Sequence, residues 1–197
     1  MKKNYIVGIT GASGVILALK LIQWLLDSGY NVDVLVSTSG YKTLFFEVSH
    51  LISSKRGLKE FFKNYEKQLR LFNISDIGCP PCSGSYKHQG MIIIPCSMAT
   101  VSAISIGLAN NSIRRAADVA IKEKRPLIIV PREAPFSTIH LENLLKLAKL
   151  NVVILPPIPQ WYLKFESLEE MENAILGRVL DMLKEEHNLY KPWNGNY

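Results

Sequence analysis

The sequence predicts an α/β fold, a doubly wound and mostly parallel sheet with helices on both faces. Three observations carry this. Short apolar runs alternate with longer amphipathic ones along the whole chain, the rhythm of βαβ units. Each apolar run ends in a polar or glycine-rich turn. Leu127-Ile-Ile-Val130 is apolar at four successive positions, as expected of a strand buried on both sides.

The elements follow in order. Tyr5–Ile9 reads as the first strand and Val15–Leu26 as a helix after the turn Thr10-Gly-Ala-Ser-Gly14. Val32–Val36 is a second strand, followed by Ser37-Thr-Ser-Gly40. The stretch from Ser49 to Gln89 has no clear period and is left unassigned. Met91–Ile94 is a strand leading into Pro95-Cys-Ser-Met-Ala-Thr100, and Ser112–Lys122 is strongly helical. Leu127–Val130 is a strand ended by Pro131, then come the amphipathic Leu141–Leu150, the short Val152–Leu155 and a long helix over Leu168–Lys184. With 197 residues, 48% of them hydrophobic, and no repeat or long linker, one domain spanning 1–197 is expected.

Composition narrows the class. No apolar run approaches the ~18 residues that a membrane span needs. The start, with two lysines and a run broken at Gly8, reads as a strand and not a signal peptide. Three cysteines, an odd number, suit a reducing cytoplasm. The net charge of +6 is mixed with acids along the helices and carries no nucleic-acid motif, so it fits an enzyme handling phosphates better than a nucleic-acid binder.

Four strands therefore end in turns that share one sheet edge, where open α/β sheets bind ligands. The backbone of Gly8-Ile-Thr-Gly-Ala-Ser-Gly14 and the helix after it can take an anion. Dinucleotide enzymes usually place an acid at the end of the second strand to grip a ribose. Here Ser37-Thr38-Ser39 stands there, and the nearest acid, Asp33, lies inside the strand. Hydroxyls without a carboxylate suit a phosphomononucleotide, with flavin mononucleotide (FMN) the leading candidate; Ser97, Thr100 and Arg132 add to the set. Arg115 and Lys122 are two helical turns apart and share a face. With Arg132 and Glu133 they would form a cationic pocket holding one carboxylate, suited to a phosphate that departs during reaction. Cys79-Pro-Pro-Cys82 has the spacing of a metal or redox pair, but Cys96 and His88 would be improvised further ligands and no helix follows. His140 reads as a capping or packing residue.

Gly11-Ala-Ser-Gly14, Pro95-Cys-Ser-Met-Ala-Thr100, Arg115-Ala-Ala-Asp-Val-Ala-Ile-Lys122 and Val130-Pro-Arg-Glu-Ala-Pro-Phe-Ser-Thr-Ile-His-Leu-Glu-Asn143 together resemble the UbiX-like flavin prenyltransferases. The resemblance implies a Rossmann-like fold assembled into a homo-dodecamer. It implies a metal-independent transfer of the dimethylallyl group of dimethylallyl phosphate to reduced FMN, at N5 and then C6. The product, prenylated FMN, would serve UbiD-type decarboxylases. By position, Gly11, Ala12, Ser13, Ser37, Ser97, Met98, Ala99, Thr100 and Arg132 would hold the flavin. Ser13, Glu47, Arg115, Lys122 and Glu133 would take part in catalysis. Arg115, Lys122, Tyr162, Arg178 and Trp193 would bind the donor, with a C-terminal segment from about 156 to 197 closing over the site. Two other readings are a flavin-dependent cysteine decarboxylase of related fold and a non-catalytic FMN carrier. The first needs a histidine near the second strand that this chain lacks, and Ser13, Lys122, Glu133, Tyr162 and Arg178 count against the second.

Overall fold

The computed structural model describes residues 3–195. Along the chain run β1 (Asn4–Ile9), α1 (Val15–Asp27), β2 (Asn31–Val36), α2 (Thr38–Glu47), α3 (Lys55–Phe61), β3 (Leu69–Phe72) and β4 (Gly90–Cys96). Then follow α4 (Met98–Ser105), α5 (Ser112–Lys122), β5 (Leu127–Pro131), α6 (Thr138–Lys149), β6 (Val153–Ile154) and α7 (Leu168–Leu183). The strands form one sheet in the order β3-β2-β1-β4-β5-β6, and every neighbouring pair is parallel. All carboxyl ends therefore lie on one edge. The strand order reverses between β1 and β4, which opens a crevice between the turns that follow them.

Central strands are buried on both faces, as the uninterrupted apolar runs require. All seven residues of β4 are buried. Ile6, Met91, Ile93 and Ile129 pack with Ile113, Ala116, Ala117 and Ala120 of α5, whose alanines let the helix lie close to the sheet. Tyr5, Val7 and Ile9 alternate to the opposite face and are also buried. Helix α1, which contacts β1, β2 and β4, buries Leu17, Ala18, Leu21, Ile22 and Leu25. The chain divides after Pro156 into two compact units. Among the described residues no helix is long and apolar enough to cross a membrane.

Several elements differ from the sequence-based expectation. Ser37-Thr-Ser-Gly40 is not a free turn, because Ser37 caps α2, which starts at once. The unassigned stretch holds α3 and β3, a four-residue strand with an alternating burial pattern. Strand β4 continues through Pro95 to Cys96. Proline brings no N–H to the ladder, and the pairing with β5 shifts register between Ile93 and Cys96. Helix α6 starts three residues early at Thr138, because Ser137 and His140 form a reciprocal cap: Ser137 Oγ accepts from the His140 N–H and His140 Nδ1 accepts from the Ser137 N–H.

At the amino edge, Asp33 is wholly buried and accepts from Arg70 Nε at 2.7 Å, Tyr86 at 2.6 Å and Asn4 at 3.0 Å. It is thus a sheet-edge anchor. His88 is 8% exposed nearby. Burial, and then the Arg125 guanidinium, push its pKa below the usual value. As pH falls from 7, the unfolded chain takes up this proton first, so the stability is present above about 6.5 and lost as pH falls toward the lower folded value. Thermal unfolding between pH 7 and 5 should therefore show a steeper fall in midpoint for the wild type than for His88→Gln. Equal slopes would contradict this role.

Candidate active site

Thr10, at the end of β1, ties together the two turns that flank the crevice. Its Oγ1 donates to the Pro95 carbonyl at 2.8 Å and accepts from the Ser97 N–H at 2.7 Å. Beside it lies a cavity of about 280 Å³ lined by Thr10, Gly11, Ser37, Ser39, Ser97, Ala99, Thr100, Asn111, Ile113 and Arg114. Three helices begin at its walls. Ser37 caps α2 by accepting from the Gly40 N–H at 2.9 Å, which leaves its hydroxyl hydrogen able to donate elsewhere. Asn111 caps α5 by accepting from the Arg114 N–H at 3.0 Å. Ser97 precedes α4 without capping it, and its hydroxyl instead meets that of Thr100 at 3.1 Å. Helix starts carry partial positive charge, so three of them around one cavity suit an anion.

The turn after β1 comes close to α2 as only glycine permits. A Cβ on Gly11 would stand 2.4 Å from Ser39 Cβ. Within this turn Ala12 is buried and Ser13 exposed. The start of α1 departs from expectation. Gly14, in the left-handed region at φ 96°, and Val15 both donate their N–H groups to Glu47 Oε2, at 2.9 and 3.2 Å. The α1 terminus expected to take an external anion is thus already satisfied by a carboxylate from the end of α2. An incoming phosphate is left with the starts of α2, α4 and α5.

Hydroxyls, helix starts, a cation and a glycine cradle fit the phosphate-bearing end of a mononucleotide. A second, more apolar cavity of about 720 Å³ also borders the first turn of α2 and is walled by Tyr41, Phe45, Phe72 and Ile74.

Arg132 is held at the same sheet edge, its N–H donating to the Cys96 carbonyl at 3.3 Å, but its exposed side chain does not line the smaller cavity. Glu133 is half-buried and accepts from the Ala134 N–H at 3.1 Å. Met98 is buried under the start of α4. The expected cationic pocket of Arg115, Lys122, Arg132 and Glu133 does not form within one chain. Arg115 pairs with Asp118 at 2.9 Å and Lys122 with Glu123 at 3.3 Å. Lys122 also lies beside Gly84, whose carbonyl accepts from Arg125, just before β5 begins. Glu133 follows the other end of β5, which spans about 16 Å. The shared helical face of Arg115 and Lys122 is real, but the antiparallel course of α5 carries Lys122 away from the binding edge. Arg114, which does line the cavity, was missed; its signal was the position three residues after the cap Asn111.

In the second unit, Tyr162 and Trp193 stack edge to face with centroids 5.3 Å apart. Arg178 donates to Asp181 at 2.6 Å, and Tyr190 and His187 bond the same carboxylate. Burial would raise the Asp181 pKa, but these three partners hold it below the usual carboxylate range. A Cβ on Gly177 would strike the Tyr190 ring at 2.4 Å, so the glycine makes room for this cluster.

Cys79 and Cys82 are buried, with sulfurs 3.5 Å apart, and Cys82 also contacts the Ser112 carbonyl at the start of α5. Burial pushes the Cys82 thiol up to about 12, which disfavours the thiolate that redox or metal chemistry uses.

Comparison with known proteins agrees with this geometry. A family described as Flavoprotein matches residues 1–180. The flavin prenyltransferase UbiX of Chlamydia trachomatis serovar D is 50% identical over 191 residues, 97% of each chain. The crystal structure of AnUbiX (PadA1) in complex with FMN and dimethylallyl pyrophosphate matches with a TM-score of 0.91 at 32% identity, covering 100% of both chains. A dodecameric FMN-dependent UbiX-like decarboxylase from Escherichia coli O157:H7 matches with a TM-score of 0.88 at 36% identity, covering 98% of this chain and 100% of the other. By sequence and by fold, this chain belongs to the UbiX flavin prenyltransferase family of flavoproteins.

Proposed function

We propose that this protein joins the dimethylallyl group of dimethylallyl phosphate to reduced FMN, at N5 and then C6, and that the prenylated FMN passes to a UbiD-type decarboxylase. The observation that best supports this is the cavity at the β1–β4 crevice, where hydroxyls, three helix starts and a glycine cradle meet without an acid. Gly11, Ala12 and Ser13 would border the flavin, and Ser37 with the Ser97–Thr100 turn would hold its phosphate and ribityl chain. Arg132 would hold the flavin or the donor phosphate. The bound reduced flavin supplies the nucleophilic nitrogen and carbon to which the prenyl group is joined.

The chain's own residues would handle charge and protons. Arg115, Lys122 and Arg178 stabilise the departing phosphate. Glu133 accepts the proton lost on ring closure, and departing phosphate can share that task. Tyr162 and Trp193 offer aromatic surface to the prenyl group and keep water from an electron-poor carbon. Glu47, bonded to Gly14 and Val15, fixes the turn that carries Ser13, and it would assist proton transfer during ring closure. Because one chain separates Lys122 from Glu133, a homo-oligomer, dodecameric as in the Escherichia coli relative, would supply the Arg115–Lys122 face from a second copy. Three free, buried cysteines are consistent with a cytoplasmic enzyme.

The reading is tested by phosphate release. Inorganic phosphate or pyrophosphate should appear from the dimethylallyl donor only when reduced FMN is present. Release that is independent of flavin, or none with either donor, would defeat it.

A further inference from the structure

We propose that Arg114 is the cation that holds the flavin phosphate in this chain, an inference that rests on the FMN-binding reading above. Among the described residues lining the crevice cavity, Arg114 is the one charged side chain. Its setting differs from that of three other arginines. Arg70, Arg115 and Arg178 each direct their guanidinium at a carboxylate. Arg114 meets none: its Nη1 donates to Asn110 Oδ1 at 2.7 Å, and its Nε is buried without a hydrogen-bond partner. A guanidinium that lines a cavity and pairs with no carboxylate keeps its charge available for an anionic acceptor there.

The acceptor has a definite character. The same lining holds the hydroxyls of Ser37, Ser39, Ser97 and Thr100 and the starts of α2 and α4, groups that can donate. Donors converging from several sides, with a guanidinium among them and no carboxylate, match the oxygens of a phosphate monoester, and the planar guanidinium suits them geometrically. Asn110 restrains the side chain from one side, and Asn111 fixes the first turn of α5 beneath it. Arg132, the arginine that resemblance alone would assign to the flavin, stays outside the lining of this cavity.

FMN and riboflavin differ only by the phosphate, so their comparison isolates the contact. Quenching of flavin fluorescence on titration would give both affinities for the wild type, Arg114→Gln and Arg114→Lys. Arg114→Gln should bind FMN about 10- to 100-fold more weakly than the wild type, while riboflavin affinity stays unchanged. Arg114→Lys should recover part of the loss, because it keeps the charge without the fork. A wild-type ratio of FMN to riboflavin affinity in Arg114→Gln would overturn the proposal, as would an equal loss for both flavins, which would mark Arg114 as structural. A wild type that binds neither flavin would defeat the FMN reading itself.

Discussion

Replacing Glu133 with glutamine should leave FMN binding intact and slow prenyl transfer by about a hundred- to ten-thousand-fold, the usual contribution of a positioned base. Glutamine has the same shape, and its carbonyl oxygen can still accept the Ala134 N–H that the carboxylate accepts now. What it loses is the ability to take a proton. Turnover measured alongside an FMN titration separates the two, and unchanged turnover would show that the carboxylate only shapes its loop. The same variant tests where the cations come from. Lys122 lies before β5 and Glu133 after it, so a site that needs both must draw on two copies. Oligomers mixed from Glu133→Gln and Lys122→Ala chains should then regain up to about a quarter of wild-type activity, since random assembly leaves one site in four intact. No recovery would contradict the shared site.

The second large effect is expected at Gly11. An alanine there would set its Cβ 2.4 Å from that of Ser39, with Ser39 backbone atoms at 3.3 and 3.4 Å. The turn must then shift away from α2, widening the cradle. Such overpacking costs about 1–3 kcal/mol, and the thermal midpoint and FMN affinity should fall together. Because the closest obstacle is a side-chain carbon, Ser39→Gly in the Gly11→Ala background should restore much of both. Strict additivity of the two substitutions would show that they do not share this contact.

The fold was legible because its strands are written as apolar runs with few competing interpretations. Leu127–Val130 and Met91–Ile94 are strands wherever their boundaries fall, and parallel pairing put their turns on one edge. The crevice was legible for the same reason, through Ser37, Ser97, Thr100 and Gly11. What escaped depends on contacts between distant parts of the chain. Nothing local in Glu47 shows that it will cap α1, 33 residues before it. The strand β3 is too short to carry a period and is fixed by its partner β2. Arg114 and Arg115 are adjacent in sequence, and only the cap at Asn111 and the seating of α5 decide which one faces the cavity. The direction of α5 separated Lys122 from Glu133, which a shared helical face could not reveal.

The most direct measurement is the mass of the flavin itself. Purified protein incubated with reduced FMN and dimethylallyl phosphate, or the pyrophosphate, should yield a flavin heavier by one dimethylallyl group less a hydrogen, with no added metal. FMN that binds the protein and leaves it with its mass unchanged, with either donor, would contradict the account.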